Sequence, residues 1–286
     1  MSELKRTQLY GAHVKAGASL VDFGGWEMPI QYPTGIVAEH LNCRGGCGIF
    51  DVSHMGRLDI QGPDMVPFLQ HVITSNVLAL DVNQSQYAIM PDENGYAIDD
   101  VYLYRFEEDR YLLVVNAGNI DKDLVHLYQE AEKFDVAITN VSGQYAAIAV
   151  QGPRSKDILK ALHGGRELTA ENVKNALSTT TMEGRPVRVA KTGYTGEPIG
   201  YELYCDSADA EYFWDRLIEL GAKPTGLGAR DTLRMEATLP LYGHEMGPCQ
   251  LGGEIPVYAV PLAKFAVSFA EEKGEFVGKA ALKRQF

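Results

Sequence analysis

The chain has 286 residues, of which 45% are hydrophobic and 22% charged, an ordinary globular composition with room for about two domains. Its formal net charge of -12 disfavours nucleic acid and anionic membranes as partners. No apolar run could span a bilayer, and the N-terminal segment Met1–Arg6 has neither an apolar signal region nor a transit pattern. These features predict a cytoplasmic protein without a nucleic-acid or membrane partner.

Residues 7–17 and 34–47 have helical patterns, and the stretch between them does not. Residues 20–32 contain glycines, prolines and aromatic side chains, so we expect an ordered loop there, either packed by Trp26 or lining a pocket. The second helix carries Cys43 and Cys47, four residues apart. No further ligand pair stands at a metal-site spacing, so we expect structural thiols and no metal.

The segment that follows the second helix contains the side chains of a nucleophilic triad, namely Asp51, Ser53 and His54. Neighbouring side chains diverge in a strand or a helix, so Ser53 and His54 cannot readily hydrogen-bond to each other. The chain also lacks a Gly-x-Ser-x-Gly elbow. A hydrolase is therefore disfavoured.

An approximate internal repeat follows. Residues 57–63 and residues 147–153 each have a strand-like run ending in Gln-Gly-Pro, and each run precedes a helical pattern. Gly-Pro ends a strand, and Pro suits the first turn of a helix. The repeat predicts two related α+β units.

Two adjacent carboxylates interrupt the predicted strand that leaves the Asn94-Gly95 turn. Neighbours in a strand point to opposite faces, so one of Asp99 and Asp100 should face inward, at a cost of several kcal/mol unless it is paired. Two interpretations of the pair are open. Asp99 and Asp100 could mark a polar strand end in solvent, or one carboxylate could point into a cavity lined by the aromatic side chains of Tyr87, Tyr102 and Tyr104.

Strands are also predicted at 86–90, 111–116, 186–191 and 201–205, with amphipathic helices near 119–133 and 207–220. Asn116 ends one strand and could cap a helix or face a ligand. Glu202 interrupts an aromatic strand much as Asp100 does. A glycine loop opens a helix at 226–236, where Arg230 could attract an anion or, with Arg234, pair with acidic neighbours.

Seven motifs in the same order resemble the glycine cleavage system T-protein family of aminomethyltransferases, and together they cover almost the whole chain. They are Val21–Pro29, Phe50–Gly56, Asn94–Asp100, Val114–Ala117, Gln151–Pro153, Thr192–Glu197 and Gly226–Asp231.

The resemblance implies an α+β cloverleaf with antiparallel sheets around a central hole that holds tetrahydrofolate. It implies transfer of an aminomethyl group from the lipoyl arm of the H-protein to tetrahydrofolate, with release of ammonia. The family's catalytic aspartate matches Asp100, its pterin-binding glutamate matches Glu202, and its folate-contacting arginine matches Arg230. Further folate-pocket positions match Tyr87, Tyr104, Asn116, Tyr194 and Met55.

The resemblance also predicts the domains: a first folate-binding α+β domain at 1–50 plus 140–245, a second at 51–139 carrying Asp100, and a linker at 246–286. The family continues past Phe276–Leu282 into a C-terminal β-barrel, and most of that barrel is expected to be missing here. Residues 249–258 depart from the family pattern, so the donor could differ. The alternatives are another folate-dependent one-carbon transferase or demethylase, or a non-catalytic folate-binding protein.

Overall fold

The computed structural model describes residues 3–168 and 173–286, which form two compact units. The first unit comprises Met1–His54 and Ser142–Leu239, and the second comprises Met55–Val141 and Pro240–Phe286. Positions 1–2 of the predicted N-terminal segment, and positions 169–172 of the predicted range 140–245, lie outside the described residues. The predicted domain ranges stay predictions.

The secondary structure alternates short helices with strands. The strands are β1 (Ser19–Phe23), β2 (Trp26–Gln31), β3 (Gly48–Asp51), β4 (Gly56–Gln61), β5 (Gln84–Pro91), β6 (Ala97–Glu107), β7 (Arg110–Val115), β8 (Ala137–Asn140), β9 (Tyr145–Gln151), β10 (Leu177–Met182), β11 (Arg185–Ala190), β12 (Gly200–Asp206), β13 (Lys223–Pro224), β14 (Gly247–Pro248) and β15 (Glu254–Ile255). The helices are α1 (Tyr10–Lys15), α2 (Ile36–Gly45), α3 (Met65–Val72), α4 (Ile120–Ala131), α5 (Ser155–Leu162), α6 (Ala210–Glu219), α7 (Leu227–Glu236), α8 (Ala263–Ala266) and α9 (Lys279–Gln285).

The first unit is built on a six-stranded sheet in the order β10-β11-β12-β9-β3-β13. Its pairs are antiparallel except β13 with β3. The inward side chains of β9 and β12, such as Ile148 and Leu203, form one core with Phe213 and Leu217 of α6. This core fixes β12 and therefore Glu202.

The second unit is built on a five-stranded antiparallel sheet in the order β5-β6-β7-β4-β8. Leu103 of β6 and Leu113 of β7 share a core with Phe68 of α3 and Leu127 of α4. The two sheets confirm the α+β class with antiparallel sheets. No helix in the described part of the chain has the length and apolar character needed to cross a membrane.

The predicted repeat is present in both sheets, because β4 and β9 each end at the Gln of Gln-Gly-Pro and a helix follows. Gly62 and Gly152 have φ of 125° and 117°, values that L side chains rarely adopt. A Cβ at Gly152 would stand 2.3 Å from the carbonyl oxygen of Cys43, and one at Gly62 would stand 2.5 Å from that of Asp135. Each glycine therefore lets the chain turn against a neighbouring backbone.

The loop predicted at 20–32 is a β-hairpin, and that prediction was wrong. β1 and β2 pair antiparallel around Gly24 and Gly25, with Phe23 opposite Trp26. The two glycines have φ of 58° and 83°, as a two-residue type I′ turn requires. The loop was predicted because proline is rare inside strands. In the structure Pro29 stands next to a register shift of this two-stranded sheet, where a strand can accommodate it.

Helix α4 covers the second sheet through Ile120 and Leu127, as its spacing predicts, whereas Tyr128 is 52% exposed rather than inward. The same helix buries a charged residue. Asp123, in its first turn, is 0% exposed. This carboxyl lies under the site described next.

Candidate functional site

Asp99 and Asp100 lie in the middle of the second sheet, on strand β6, and their side chains have different surroundings. Asp99 is 0% exposed and lies on the face of Val101 and Leu103, and Asp100 is half-buried on the face of Tyr102 and Tyr104. The prediction that one carboxylate faces inward is confirmed for Asp99. The solvated strand end is excluded.

Both oxygens of Asp100 accept hydrogen bonds. The Tyr87 hydroxyl donates to Oδ2 at 3.0 Å, and Asn116 Nδ2 donates to Oδ1 at 2.8 Å. Tyr87 is on the neighbouring strand β5, and Asn116 directly follows β7, the strand on the other side. The antiparallel pairing of β5, β6 and β7 thus brings three of the predicted site residues together.

The protonation of Asp100 is shifted towards neutral pH. Burial, followed by the charge of Asp99, raises the pKa of Asp100 to about 7, while the bonds from Tyr87 and Asn116 oppose that rise. A carboxyl group with a pKa near 7 exchanges its proton in the physiological range, as expected of a group in a reaction site.

Asp99 is held by amide donors. Its Oδ2 accepts from the backbone N–H of Asn116 at 2.9 Å, and its Oδ1 accepts from Asn116 Nδ2 at 2.9 Å and Asn119 Nδ2 at 2.5 Å. The Asn116 amide thus bridges the two neighbouring aspartates. Asn119 was not a predicted site residue, although a second Asn three residues after Asn116 was a usable signal.

The aromatic residues of the same face form a ladder along β5 and β6. The rings of Tyr87 and Tyr102 lie 6.2 Å apart, those of Tyr102 and Tyr104 lie 5.2 Å apart, and Phe106 stacks on Tyr104 at 5.9 Å. Tyr104 is 1% exposed, so in this structure its ring packs within the ladder. Met55, half-buried directly before β4, accepts a bond from Arg57 through its carbonyl.

In the first unit, Glu202 lies at the middle of β12, opposite Ala149 and Ala190 of the two adjacent strands. Its Oε2 accepts from the Thr192 hydroxyl at 2.6 Å and from the Tyr204 hydroxyl at 3.4 Å. Glu202 is half-buried between small neighbours and fixed by these two hydroxyls, so it offers a preoriented carboxylate to N–H groups of a ligand.

Tyr194 and Arg230 belong to the same unit as Glu202 and are both half-buried. The N-terminus of α7 already has an anionic partner, because Glu39 accepts from the backbone N–H of Gly226 at 2.8 Å and of Tyr32 at 2.6 Å. Arg230 therefore stands one turn into a helix whose start is fixed by a buried carboxylate.

The alternative pairing at this helix is confirmed for Arg234 with Asp231, at 2.8 Å. Glu236 instead bonds to Arg44 and lies 3.3 Å from His40. The Arg234 guanidinium therefore already has an anionic partner within the first unit.

Asp51 takes part in a buried network, but not in a nucleophilic triad. Its Oδ2 accepts from the Thr7 hydroxyl at 2.6 Å and lies 2.9 Å from His13 Nε2, and His13 Nδ1 lies 2.9 Å from the Tyr32 hydroxyl. Ser53 exchanges hydrogen bonds with the backbone of Ala147. The hydrolase arrangement is therefore absent at Asp51, Ser53 and His54.

The cysteines are structural. All four are free, and burial raises the pKa of Cys43 and Cys47 to about 12. Within residues 3–168 and 173–286, no three His, Cys, Asp or Glu side chains are grouped to hold a metal ion. The expected absence of a metal stays a prediction.

These observations define a class: an α+β chain with two large, mainly antiparallel sheets, each interrupted by a fixed carboxylate. The comparison with known families then identifies the chain. Residues 9–251 match the model of the GCVT N-terminal domain, and the chain belongs to that family.

Two curated relatives illustrate the match, and both are named aminomethyltransferase. The one from Deinococcus deserti is 49% identical over 85% of this chain and 67% of its own length. The one from Desulfitobacterium hafniense is 43% identical over 100% of this chain and 76% of its own length.

A solved structure is similar to the fold. The glycine cleavage system aminomethyltransferase T from Bartonella henselae has a TM-score of 0.83 and 32% identity, over 99% of this chain and 74% of that chain. The fold class and the resemblance to the T-protein are thereby confirmed.

Proposed function

We propose that this chain is the aminomethyltransferase of the glycine cleavage system. It acts in the cytoplasm, takes its one-carbon unit from the aminomethyl-dihydrolipoyl arm of the H-protein and passes it to tetrahydrofolate. In the reaction the carbon's bonds to sulfur and to the amino nitrogen break, and bonds to folate N5 and N10 form. The protons of N5 and N10 leave with the sulfur, as a thiol, and with the nitrogen, as ammonia.

The observation that carries the proposal is the setting of Asp100 in a chain of this family. Positive charge builds on the carbon as ammonia leaves, and a fixed carboxylate in a partly buried site opposes that charge. Asp100 is held on both oxygens by Tyr87 and Asn116, so it needs no reorganisation during the reaction. Its role is electrostatic and orienting, without a covalent bond to the substrate.

Folate binding is assigned to Glu202 and Arg230, with Met55, Tyr87, Tyr104, Asn116 and Tyr194 as further pocket residues. A pterin ring edge presents adjacent N–H donors, and the Glu202 carboxylate is oriented to accept them. The anionic folate tail suits the guanidinium of Arg230. No metal is required for this chemistry.

The function is tested by mixing the chain with aminomethyl-loaded H-protein and tetrahydrofolate. We expect methylenetetrahydrofolate and ammonia to form in equal amounts, and neither when either component is omitted. Formation of the folate product from a methylated sulfur or oxygen donor instead would assign the demethylase alternative. Folate binding without turnover on any donor would assign the non-catalytic alternative.

The folate site is tested by calorimetric titration of Glu202→Ala with tetrahydrofolate. Loss of hydrogen bonds to a charged acceptor should weaken binding by about 10- to 100-fold. Glu211→Ala is the matched control, because Glu211 is an exposed residue of α6 in the same unit. Equal affinities for the two variants would contradict the assignment of Glu202.

A further inference from the structure

Two fully buried carboxyl groups meet beneath Asp100 in the second unit. Asp99 on β6 and Asp123 in the first turn of α4 are both 0% exposed. They lie 24 positions apart in the sequence, and packing of α4 on the sheet brings them together. Neither has a role in the proposed reaction so far.

The two groups differ in their partners. Asp99 accepts three N–H bonds from Asn116 and Asn119. Burial raises the pKa of Asp99, and the bonds from Asp123, Asn116 and Asn119 oppose that rise by stabilising the ionised carboxylate. Neither oxygen of Asp123 has an N–H or O–H donor within hydrogen-bonding reach among residues 3–168 and 173–286. Asn119 connects the two residues, because its side-chain amide donates to Asp99 Oδ1 at 2.5 Å and its backbone carbonyl accepts from the N–H of Asp123 at 2.8 Å. The charge of Asp99 acts strongly on the Asp123 carboxyl group.

Two carboxyl groups can hydrogen-bond only when one of them carries a proton. An ionised, unpartnered Asp123 at full burial next to an ionised Asp99 would cost many kcal/mol, whereas a neutral Asp123 can donate its O–H to Asp99. Aspartates that share a site in other proteins retain one proton for the same reason.

We propose that Asp99 and Asp123 form a one-proton carboxyl pair, in which Asp123 donates to an ionised Asp99, and that this pair positions Asn116 and through it Asp100. The proposal deepens the proposed function, because the reaction that Asp100 serves is the transfer to folate. Asp99 and Asp123 are positioning residues and do not touch the substrate.

The side-chain amide of Asn116 connects the carboxyl pair to Asp100. Asn116 Nδ2 lies 2.9 Å from Asp99 Oδ1 and 2.8 Å from Asp100 Oδ1, and the backbone N–H of Asn116 is bound to Asp99 Oδ2. If the Asp99 carboxylate turns or becomes neutral, Asn116 loses the acceptors that set its orientation. Asp100 then loses one of its two anchors.

The charges around the pair are consistent with a single proton. Burial and the charge of Asp99 raise the pKa of Asp123 to about 10, and Lys122 opposes the rise. The Lys122 ammonium donates to the Ile98 carbonyl at 2.5 Å and to the Tyr242 hydroxyl at 2.8 Å. Burial lowers the pKa of Lys122, while Asp123, Asp99 and Glu254 raise it.

Two hydroxyl groups complete the set of titratable groups near the pair. Burial, followed by the charge of Asp99, raises the pKa of Tyr242 to about 12, so this hydroxyl stays neutral. Tyr87 donates to Asp100 from the other face of β6. The negative charge of Asp99 raises the pKa of both Asp100 and Asp123.

The proton is detected directly by NMR titration of the chain labelled with 13C at the aspartate carboxyl carbons. At a pH between the pKa of Asp100, about 7, and that of Asp123, about 10, we expect one protonated buried carboxyl signal that disappears in Asp123→Asn and persists in Asp121→Asn. Asp121 is an exposed residue of the same helix turn, so it is the matched control. A spectrum in this pH range in which the Asp123 signal is ionised would overturn the proposal.

The negative charge that the proposal gives to Asp99 is tested by the pH profile of kcat/KM. The ionised Asp100 is the active form, so activity should rise with pH through about 7. Asp99→Asn removes a like charge beside Asp100 and should move this rise to lower pH by roughly 1–3 units. A purely structural role of Asp99 would lower activity at every pH and leave the rise in place, which would overturn the proposal.

The Asp123 hydrogen bond is tested by two variants. Asp123→Ala should lower kcat about 10-fold through misplacement of Asn116, and Asp123→Asn should recover most of that loss because an amide N–H replaces the O–H donor. Equal loss in both variants would contradict the pair. Absence of turnover in the unmutated chain would instead refute the proposed function and leave the NMR result to decide the pair.

Discussion

Single side chains in this protein acquire their properties from contacts across the sheet, not from their sequence neighbours. Asp99 and Asp100 are adjacent, yet one is fully buried among amides and the other faces an aromatic ladder, because a strand alternates its faces. The buried network of Asp51, His13 and Thr7 in the first unit has the same origin. It ties helix α1 and the preceding residues to strand β3.

Replacing Asp51 tests how much this network stabilises the fold. Burial would raise the pKa of Asp51, but the bonds from His13 and Thr7 outweigh it and hold the pKa at about 2. The resulting stability is present above the ordinary pKa of 3.8 and is lost as the pH falls through about 2. At pH 7, Asp51→Asn should lower the free energy of unfolding in urea by roughly 3–5 kcal/mol.

Asp215→Asn provides the control for this measurement, because Asp215 is an exposed residue of α6. An Asp51→Asn protein as stable as the control would show that the network is energetically neutral.

The sequence predicted part of these side-chain environments. Alternation required one inward carboxylate, and the Asn116 position was expected to face a ligand or cap a helix. Asp123 and His13 could not be predicted, because their partners lie 24 and 38 positions away and no local pattern encodes such contacts. Only the packing of a helix on a sheet brings them together.

Among the secondary-structure elements, the strand, Gln-Gly-Pro and helix repeat could be predicted because its signals are local. The hairpin of β1 and β2 could also have been found, since Gly24-Gly25 between aromatic residues is a two-residue turn signal. Glu202 was correctly placed within a strand for the same local reason. The pairing order of the sheets is non-local and came only from the structure.

The repeat predicts that its glycines tolerate no side chain. Gly152→Ala adds a Cβ at a φ of 117° and 2.3 Å from the Cys43 carbonyl, whereas Gly184→Ala adds one at a φ of 82° into open space. Both variants should incur backbone strain of about 1–2 kcal/mol. The steric clash should lower the free energy of unfolding of Gly152→Ala by roughly a further 1–3 kcal/mol.

The two variants are compared by urea unfolding followed by circular dichroism. If Gly152→Ala and Gly184→Ala unfold at the same urea concentration, the close approach of the backbone at residue 43 does not constrain this position.

At the scale of the whole molecule, the chain consists of two units with separate sheets and separate cores. The candidate residues divide between them, with Asp100, Asn116, Tyr87, Tyr104 and Met55 in the second unit and Glu202, Arg230 and Tyr194 in the first. The proposed function assigns folate contacts to residues of each unit, and it assigns the charge that acts on the transferred carbon to Asp100 of the second unit. Composition and charge alone gave no indication of this distribution of the candidate residues.

The most direct test of this account measures tetrahydrofolate affinity and single-turnover transfer from loaded H-protein in Asp100→Asn and in the unmutated chain. The amide keeps the size of the side chain and removes its charge, so we expect similar affinity and at least about 100-fold slower transfer. Undiminished transfer in Asp100→Asn would contradict the central claim that the negative charge of Asp100 stabilises the positive charge that builds on the transferred carbon.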